Sequence, residues 1–486
     1  QINSGLTLAV PGTGWGAGTW GRETWGSGIS APSITTELRI FTQDNFGEDL
    51  IFNVRDGNIY YWDTSADTLG TDRAVPLTAV AGVNLWVSGT SYVVGNTVYS
   101  PLNYRSYECV VNVSGTTDPS ADATNWTEIS DATTPTKAKQ VLVSDRDRHV
   151  IVFGADPEND IGTQDPLLIR FSSQESVTTW AATVENTAGD LRVGAGSEIV
   201  CAVETRQQLL VFTDVSLHAM QFLGPPFTFG IDQISENTTI SGPLAAKAVD
   251  DTVFWMGVEE FYVYTGQVQK LPCTVRSYIF NDFNLDQKEL VTACLNSSFS
   301  EIWWFYPSAD STEVNKYVVY NYEEKVWYYG SMVRTYWLDR GVNDYPMAAG
   351  TDGYLYNHEF GLNDGSTNPP SAITSSIESS QLSIGDGDDF VFLSRLIPDV
   401  TFAASTDAAA SVNMTLETRN YPGGNYLQSK TSAVSQTATT PVEQFTTETY
   451  IRLRGRSFAL KVDSNTEDIQ WRLGSPRVEV RPDGRQ

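Results

Sequence analysis

Cysteine is scarce in this chain of 486 residues. The four present, Cys109, Cys201, Cys273 and Cys294, are too widely spaced for a Cys-x-x-Cys pair or a metal knuckle and too few to staple so long a fold. They are expected to be buried free thiols. Histidine is scarcer still, and His149, His218 and His358 leave metal-dependent hydrolysis few ligands. Basic residues are outnumbered: 31 Lys and Arg stand against 59 Asp and Glu, a net charge of -28. So acidic a surface repels DNA at long range and argues against a conventional DNA-binding protein. It does not argue against a conduit through which DNA slides without adhering. No apolar run approaches the ~20 residues that cross a bilayer as a helix. No basic segment with an apolar core opens the chain, and because the first residue is Gln1 rather than Met, further residues are expected upstream.

Catalytic signatures are equally thin. There is no Gly-x-Ser-x-Gly elbow, no His-Glu-x-x-His run and no phosphate loop. Gly12-x-Gly14-x-Gly16 lies between no convincing strand and amphipathic helix, so a dinucleotide fold is not expected. Glycoside hydrolysis needs two carboxylates flanking a cleft, but Glu259, Glu260 and Asp352 sit in turns where exposure alone explains them. Asp386, Asp388 and Asp389 lack the twelve-residue calcium loop with its terminal Glu and read as an acidic turn. Neither enzyme activity nor a cofactor nor a metal is expected.

Aromatic residues are abundant, at 12%, and they are ordered. Short runs alternate Tyr, Trp or Phe with smaller residues and end on Gly or Asp: Val253–Gly257, Phe261–Gly266, Glu301–Pro307, Tyr317–Tyr322, Val326–Gly330 and Gly353–Tyr356. The same grammar appears earlier at Leu50–Arg55 and Asn58–Asp63, joined by the hairpin pair Asp56-Gly57, and at Val150–Gly154 and Gln208–Asp214. Repeated short strands that must not leave edges open favour closure into a ring of blades, so an all-β, irregular β-propeller-like body is expected, with a large sandwich as the alternative.

The chain divides by composition. Residues 1–30 form a Gly- and Trp-rich arm with Trp15, Trp20 and Trp25 five apart, expected to dock its indoles onto its own domain or a neighbouring subunit. Residues 31–83 begin the body, 84–130 form an inserted module, 131–361 complete the body, 362–380 are a Gly/Ser/Asn/Pro-rich link, and 381–486 form a C-terminal β domain. In that last domain Arg452, Arg454 and Arg456 alternate along one strand face, with Lys461, Arg472 and Arg477 following. This stripe can contact an acidic patch on another subunit, DNA backbone, or acids of its own chain.

Within the insert, Trp86, Tyr92, Gly95, Val98, Tyr104, Tyr107, Pro119 and Trp126 follow a pattern that resembles the chitin-binding type carbohydrate modules of families 5 and 12. That resemblance implies a small three-stranded β domain whose exposed aromatics bind sugar rings, with Tyr104 and Trp126 as the leading candidates and Trp86 and Tyr92 either joining them or filling the core. The extra surface Trp of many chitin binders is missing here, which keeps a purely structural decoration open.

Four stretches in order, Arg170–Trp180, Gly224–Gly230, Val253–Cys273 and Ile451–Arg485, resemble the tail nozzle (tail tube B, or packaged-DNA stabilisation) protein of short-tailed bacteriophages. The resemblance covers most of the chain outside the insert. It implies that the first three stretches belong to a propeller-like region and the fourth to a C-terminal β domain. It further implies a virion tail location, a homohexameric ring beneath an adaptor ring, fibres or a spike docked outside, and double-stranded DNA passing through without sequence-specific binding. On this reading the lumen is acidic, the arginine stripe faces protein, and the insert projects from the outer wall, where it can meet host-surface glycan. A glycan- or receptor-binding tail protein without a channel, and a glycan-degrading tail enzyme, are the alternatives.

Overall fold

The computed structural model describes residues 39–65, 73–81, 84–224, 226–384, 387–421, 427–429, 432–435 and 437–484. Trp15, Trp20 and Trp25 therefore lie outside the described residues, as does Asp386. Among the described residues the chain is all-β apart from one short helix, Arg276–Phe280, and a few 3-10 turns. It separates into two compact units, Gln1–Leu355 and Tyr356–Gln486.

The first unit is a propeller-like series of sheets, each an antiparallel meander of consecutive strands. Sheet 1 comprises Phe41–Phe46, Asp49–Val54, Ile59–Trp62 and Val75–Pro76, and sheet 2 comprises Gln140–Val143, Val150–Phe153, Leu168–Phe171 and Gly189–Arg192. Sheet 3 holds Ile199–Glu204, Leu209–Thr213, Ser216–Gly224 and Thr228–Glu236, and sheet 4 holds Ala246–Val249, Thr252–Met256, Phe261–Tyr264 and Val268–Lys270. Sheet 5 holds Thr292–Asn296, Glu301–Tyr306, Lys316–Asn321 and Val326–Ser331, and sheet 6 pairs Tyr336–Leu338 with Met347–Ala349. The first strands of successive sheets are neighbours, as the inner strands of radial blades must be.

Side-chain alternation explains why the sheets stack face to face. A strand exposes alternate residues on opposite faces, so burial of every residue means that both faces are covered. Glu301–Tyr306 is buried throughout. Its Ile302, Trp304 and Tyr306 pack with Phe254, Trp255 and Phe261 of sheet 4, while Trp303 and Phe305 pack with Trp337 and Ala348 of sheet 6. Leu209–Thr213 divides in the same way: Leu210 and Phe212 face sheet 4, and Leu209 and Val211 face sheet 2. In Val150–Phe153, Ile151 and Phe153 face sheet 3, whereas Val150 and Val152 meet Ile51, Ile59 and Tyr61 of sheet 1. Polar links reinforce the stacking. Gln140 both donates to the Ala202 carbonyl at 2.8 Å and accepts from the Ala202 amide at 2.7 Å, and the Trp304 indole donates to the Ala245 carbonyl at 3.1 Å.

The insert leaves the chain after sheet 1 is complete and returns before sheet 2 begins. It is a four-stranded sheet rather than three-stranded: Thr97–Tyr99, Ser106–Cys109 and Trp126–Glu128 are antiparallel, and the short Asn84–Leu85 adds in parallel to the first of them. Its base is tied where it joins the body: the Ser130 hydroxyl donates to the Thr78 carbonyl at 2.7 Å, and the Thr78 hydroxyl to the Tyr104 carbonyl at 2.6 Å.

The second unit is a two-sheet sandwich. One sheet orders Ser375–Glu378, Ser457–Ser464, Ser411–Arg419 and Thr437–Glu443; the other places Val391–Ile397 between Thr449–Gly455 and Arg477–Pro482. Val391, Leu393, Ile451 and Leu453 meet Val412, Met414, Leu416 and Val462 across the core. The expected link at 362–380 carries short strands. Asn363–Asp364 pairs with Ser371–Ala372, Ser375–Glu378 completes a sheet, and the Trp471 indole donates to Ser375 Oγ at 2.9 Å, so backbone partners inside this unit order the stretch.

Candidate interaction site

The insert does not bring its aromatic residues to one surface. Trp86 and Trp126 are only 8% and 2% exposed and pack with Val98, Tyr107 and Cys109 as its core. Tyr92 meets Trp126 edge to face at 5.2 Å and packs against the same cluster. An indole buried to this degree presents no face to a pyranose, so Trp126 is a core residue rather than a sugar platform. A 47-residue module has little else with which to build an interior. Tyr104 is the one of the four candidates that is exposed, at 47%, and it has a left-handed backbone (φ 55°) at the tied base of the module.

Glu260 and Asp352, singled out from the sequence, have local partners. Glu260 holds Arg276 at 2.9 Å and Lys270 at 3.3 Å, and Asp352 accepts the Tyr354 amide within its own turn. Among the described residues, no cluster of three or more His, Cys, Asp and Glu could hold a metal. His149 and His218 are buried, and burial pulls both imidazoles below their usual pKa. Phe171, Phe222 and Phe229 surround His149, so it is a core residue. Cys109, Cys201 and Cys294 are buried free thiols as expected; Cys273 is half-buried.

Two polar constellations were not legible in the sequence. At the seam of sheets 1, 2 and 3, Glu204 Oε1 accepts the Asp145 amide at 3.1 Å, and Asp44 Oδ2 accepts the Val143 amide at 2.8 Å. Burial, followed by the charges of Asp145, Asp44 and Asp147, pushes the Glu204 carboxyl up to about 7. The other constellation joins the ends of the Arg170–Trp180 stretch. The Arg170 side chain, 2% exposed, lies 5.9 Å from the centre of the Trp180 ring and donates to the carbonyls of Asp156 and Trp180.

The arginine stripe lies on the outer face of the second unit's three-stranded sheet. Thr449–Gly455 alternates buried and exposed, turning Ile451 and Leu453 inward and Tyr450, Arg452 and Arg454 outward. Register places Arg454 and Arg481 on either side of Phe392, and Tyr450 and Glu479 on either side of Arg395. Arg454 bonds Asp483 at 2.5 Å and lies 4.1 Å from the Phe390 ring centre, with Arg456 at 5.0 Å from the same ring. Arg395 bridges Glu448 at 2.9 Å and Glu479 at 3.2 Å, and Arg481 meets Glu479 at 2.6 Å. Of the three readings open for the stripe, intramolecular pairing thus accounts for Arg454. Arg395, Arg481 and Phe390 were missed from the sequence; strict alternation from the inward Leu393 would turn Arg395 inward as well, and the bulge between Leu393 and Arg395 brings it to this face.

A scan against protein-family models and a search of curated proteins find no match to this chain. Among solved structures it is similar to Kluyvelomyces marxianus Hsv2, at 7% identity and a TM-score of 0.32, over 65% of this chain and 71% of that one. It is also similar to the AfRom2 CNH domain, at 9% identity and a TM-score of 0.32, over 66% of this chain and 84% of that one.

Proposed function

We propose that this chain is a structural virion protein, the subunit of a tail nozzle in a short-tailed bacteriophage, and that it assembles with cyclic symmetry, six copies to a ring, around a channel that retains DNA and then conducts it. The observation that carries the reading is the position of the four nozzle-like stretches in the fold. Arg170–Trp180 begins in sheet 2, Gly224–Gly230 joins the two long strands of sheet 3, Val253–Cys273 covers the last three strands of sheet 4, and Ile451–Arg485 builds strands of the second unit. That division between a propeller-like body and a separate β domain is the one the resemblance implies.

A ring lets a non-catalytic chain do mechanical work, since rotation turns one subunit surface into a closed tube. Acidic side chains facing the lumen keep the polyanion from adhering. An adaptor ring above, and fibres or a spike outside, are the partners this role requires. Electron microscopy of native tails or of the assembled recombinant chain tests the proposal: six copies around an axial channel are expected, and a peripheral monomer refutes it.

A further inference from the structure

The outer face of the three-stranded sheet in the second unit gathers arginines in a strongly acidic chain. Arg395, Arg452, Arg454, Arg456, Arg477 and Arg481 stand on or beside it against Glu448, Glu479 and Asp483. The three acids hold Arg395, Arg481 and Arg454. Arg452 and Arg477 are exposed, and Arg456 Nε is buried without a hydrogen-bond partner. Among the described residues of the second unit the face is open: Tyr450 is 77% exposed and the Arg481 side chain 68%.

We infer that this face docks onto the carboxylate-rich surface of the first unit of a second copy of this chain. Charge complementarity selects the occupant. Tyr356–Gln486 carries 11 Lys and Arg against 16 Asp and Glu, a net -5, so -23 of the chain's -28 belongs to Gln1–Leu355. The face is built of arginine, tyrosine and phenylalanine with no lysine on its three strands, the side chains that anchor protein interfaces. Its own acids already fix three guanidinium forks, so little freedom is lost on docking.

A basic face meeting an acidic one is a contact between unlike surfaces, so each copy offers both halves and the association runs head to tail, closing into a ring when the rotation permits. The inference rests on the ring reading above and adds which surfaces make the ring. Sedimentation velocity of the full chain, from about 50 to 500 mM salt, compares the wild type with Arg452→Glu/Arg477→Glu and with Arg452→Lys/Arg477→Lys. Both positions are exposed, and matching circular dichroism establishes that each variant folds. Wild-type assembly that weakens with salt, weakens at least about tenfold in the glutamate variant and far less in the lysine variant is the expected result. A glutamate variant that assembles as the wild type does overturns this inference and leaves the ring reading standing. A wild type that stays monomeric overturns both. Retardation of duplex DNA by the wild type that the glutamate variant loses, with assembly unchanged, assigns the face to nucleic acid instead and overturns the inference.

Discussion

Replacing Arg170 with Met keeps the aliphatic stem and removes the charge from one of the most enclosed polar sites in the first unit. The guanidinium donates to the Asp156 carbonyl at 3.3 Å and to the Trp180 carbonyl at 3.5 Å, and the carboxylates of Asp156, Glu158, Asp190 and Asp131 all act on it. Asp156, itself 0% exposed, is held by the Thr136 hydroxyl at 2.6 Å and the Gly162 amide at 2.7 Å, so it cannot swing out to water when its neighbouring cation is gone. Removing one member of a buried charge arrangement costs about 3–5 kcal/mol, because the buried Asp156 left behind stays desolvated. The lost contact with the Trp180 ring adds about 0.5–2 kcal/mol. Arg170→Lys retains the charge but not the planar fork and is expected to lose about 1–3 kcal/mol, the cost of unsatisfied buried acceptors. Urea unfolding followed by tryptophan fluorescence measures the transition of the first unit. An Arg170→Met midpoint within about 0.5 kcal/mol of the wild type, or Met and Lys variants that behave alike, would refute this account of the site.

The raised Glu204 carboxyl makes a pH prediction. A folded pKa of about 7, above the 4.5 of the free group, means that this site favours the folded state most below pH 4.5 and that the advantage is lost as pH rises through 7. Glu204→Gln should therefore melt above the wild type at pH 8, with the gap closing toward pH 4.5; a gap that is constant with pH contradicts the assignment. In the insert, Trp126→Ala should cost about 3–5 kcal/mol and unfold the module, whereas Tyr104→Ala leaves its amide exchange intact, as read by hydrogen exchange of residues 84–130. If the module binds glycan, a glycan array should show the loss with Tyr104→Ala, and binding unaffected by that change would exclude Tyr104 from contact with the sugar. Trp304→Ala, at the interface of sheets 4 and 5, should destabilise the first unit by about 3–5 kcal/mol in the same urea assay, and a loss below about 1 kcal/mol would show that the stacked faces are not its core.

The sequence revealed most where alternation and turn chemistry coincide. Val253–Gly257, Phe261–Gly266 and Glu301–Pro307 are strands within a residue or two of their expected limits, and Asp56, at φ 56°, turns the first hairpin with Gly57. Which aromatics faced a neighbour was not legible, because Trp303 and Trp304 are adjacent and alike yet pack into different clusters on opposite faces. The strand Thr228–Glu236 was not among the runs legible in the sequence, and it is drawn into sheet 3 by its pairing with Ser216–Gly224. The constellations at Glu204 and Arg170 depend on residues up to 160 positions apart, as Asp44 is from Glu204, and no local pattern reports such a meeting. The burial of Trp126 was not legible, because the spacing that marks an aromatic does not say whether a small module can spare it from its core.

In the first unit, every sheet pairs each strand with the next one along the chain. Each hairpin closes a modest loop, so the entropy of pairing is met locally, and distant segments meet only when finished sheets stack. A ribosome releasing this chain from its N-terminal side would deliver sheet 1 entire, then the insert with its own cluster of Trp86, Tyr107 and Trp126, and then sheets 2 to 5 one after another, each arriving with a face for the next to cover. Synthesis and folding can thus keep step, with little unpaired edge exposed at any moment to a neighbouring nascent chain.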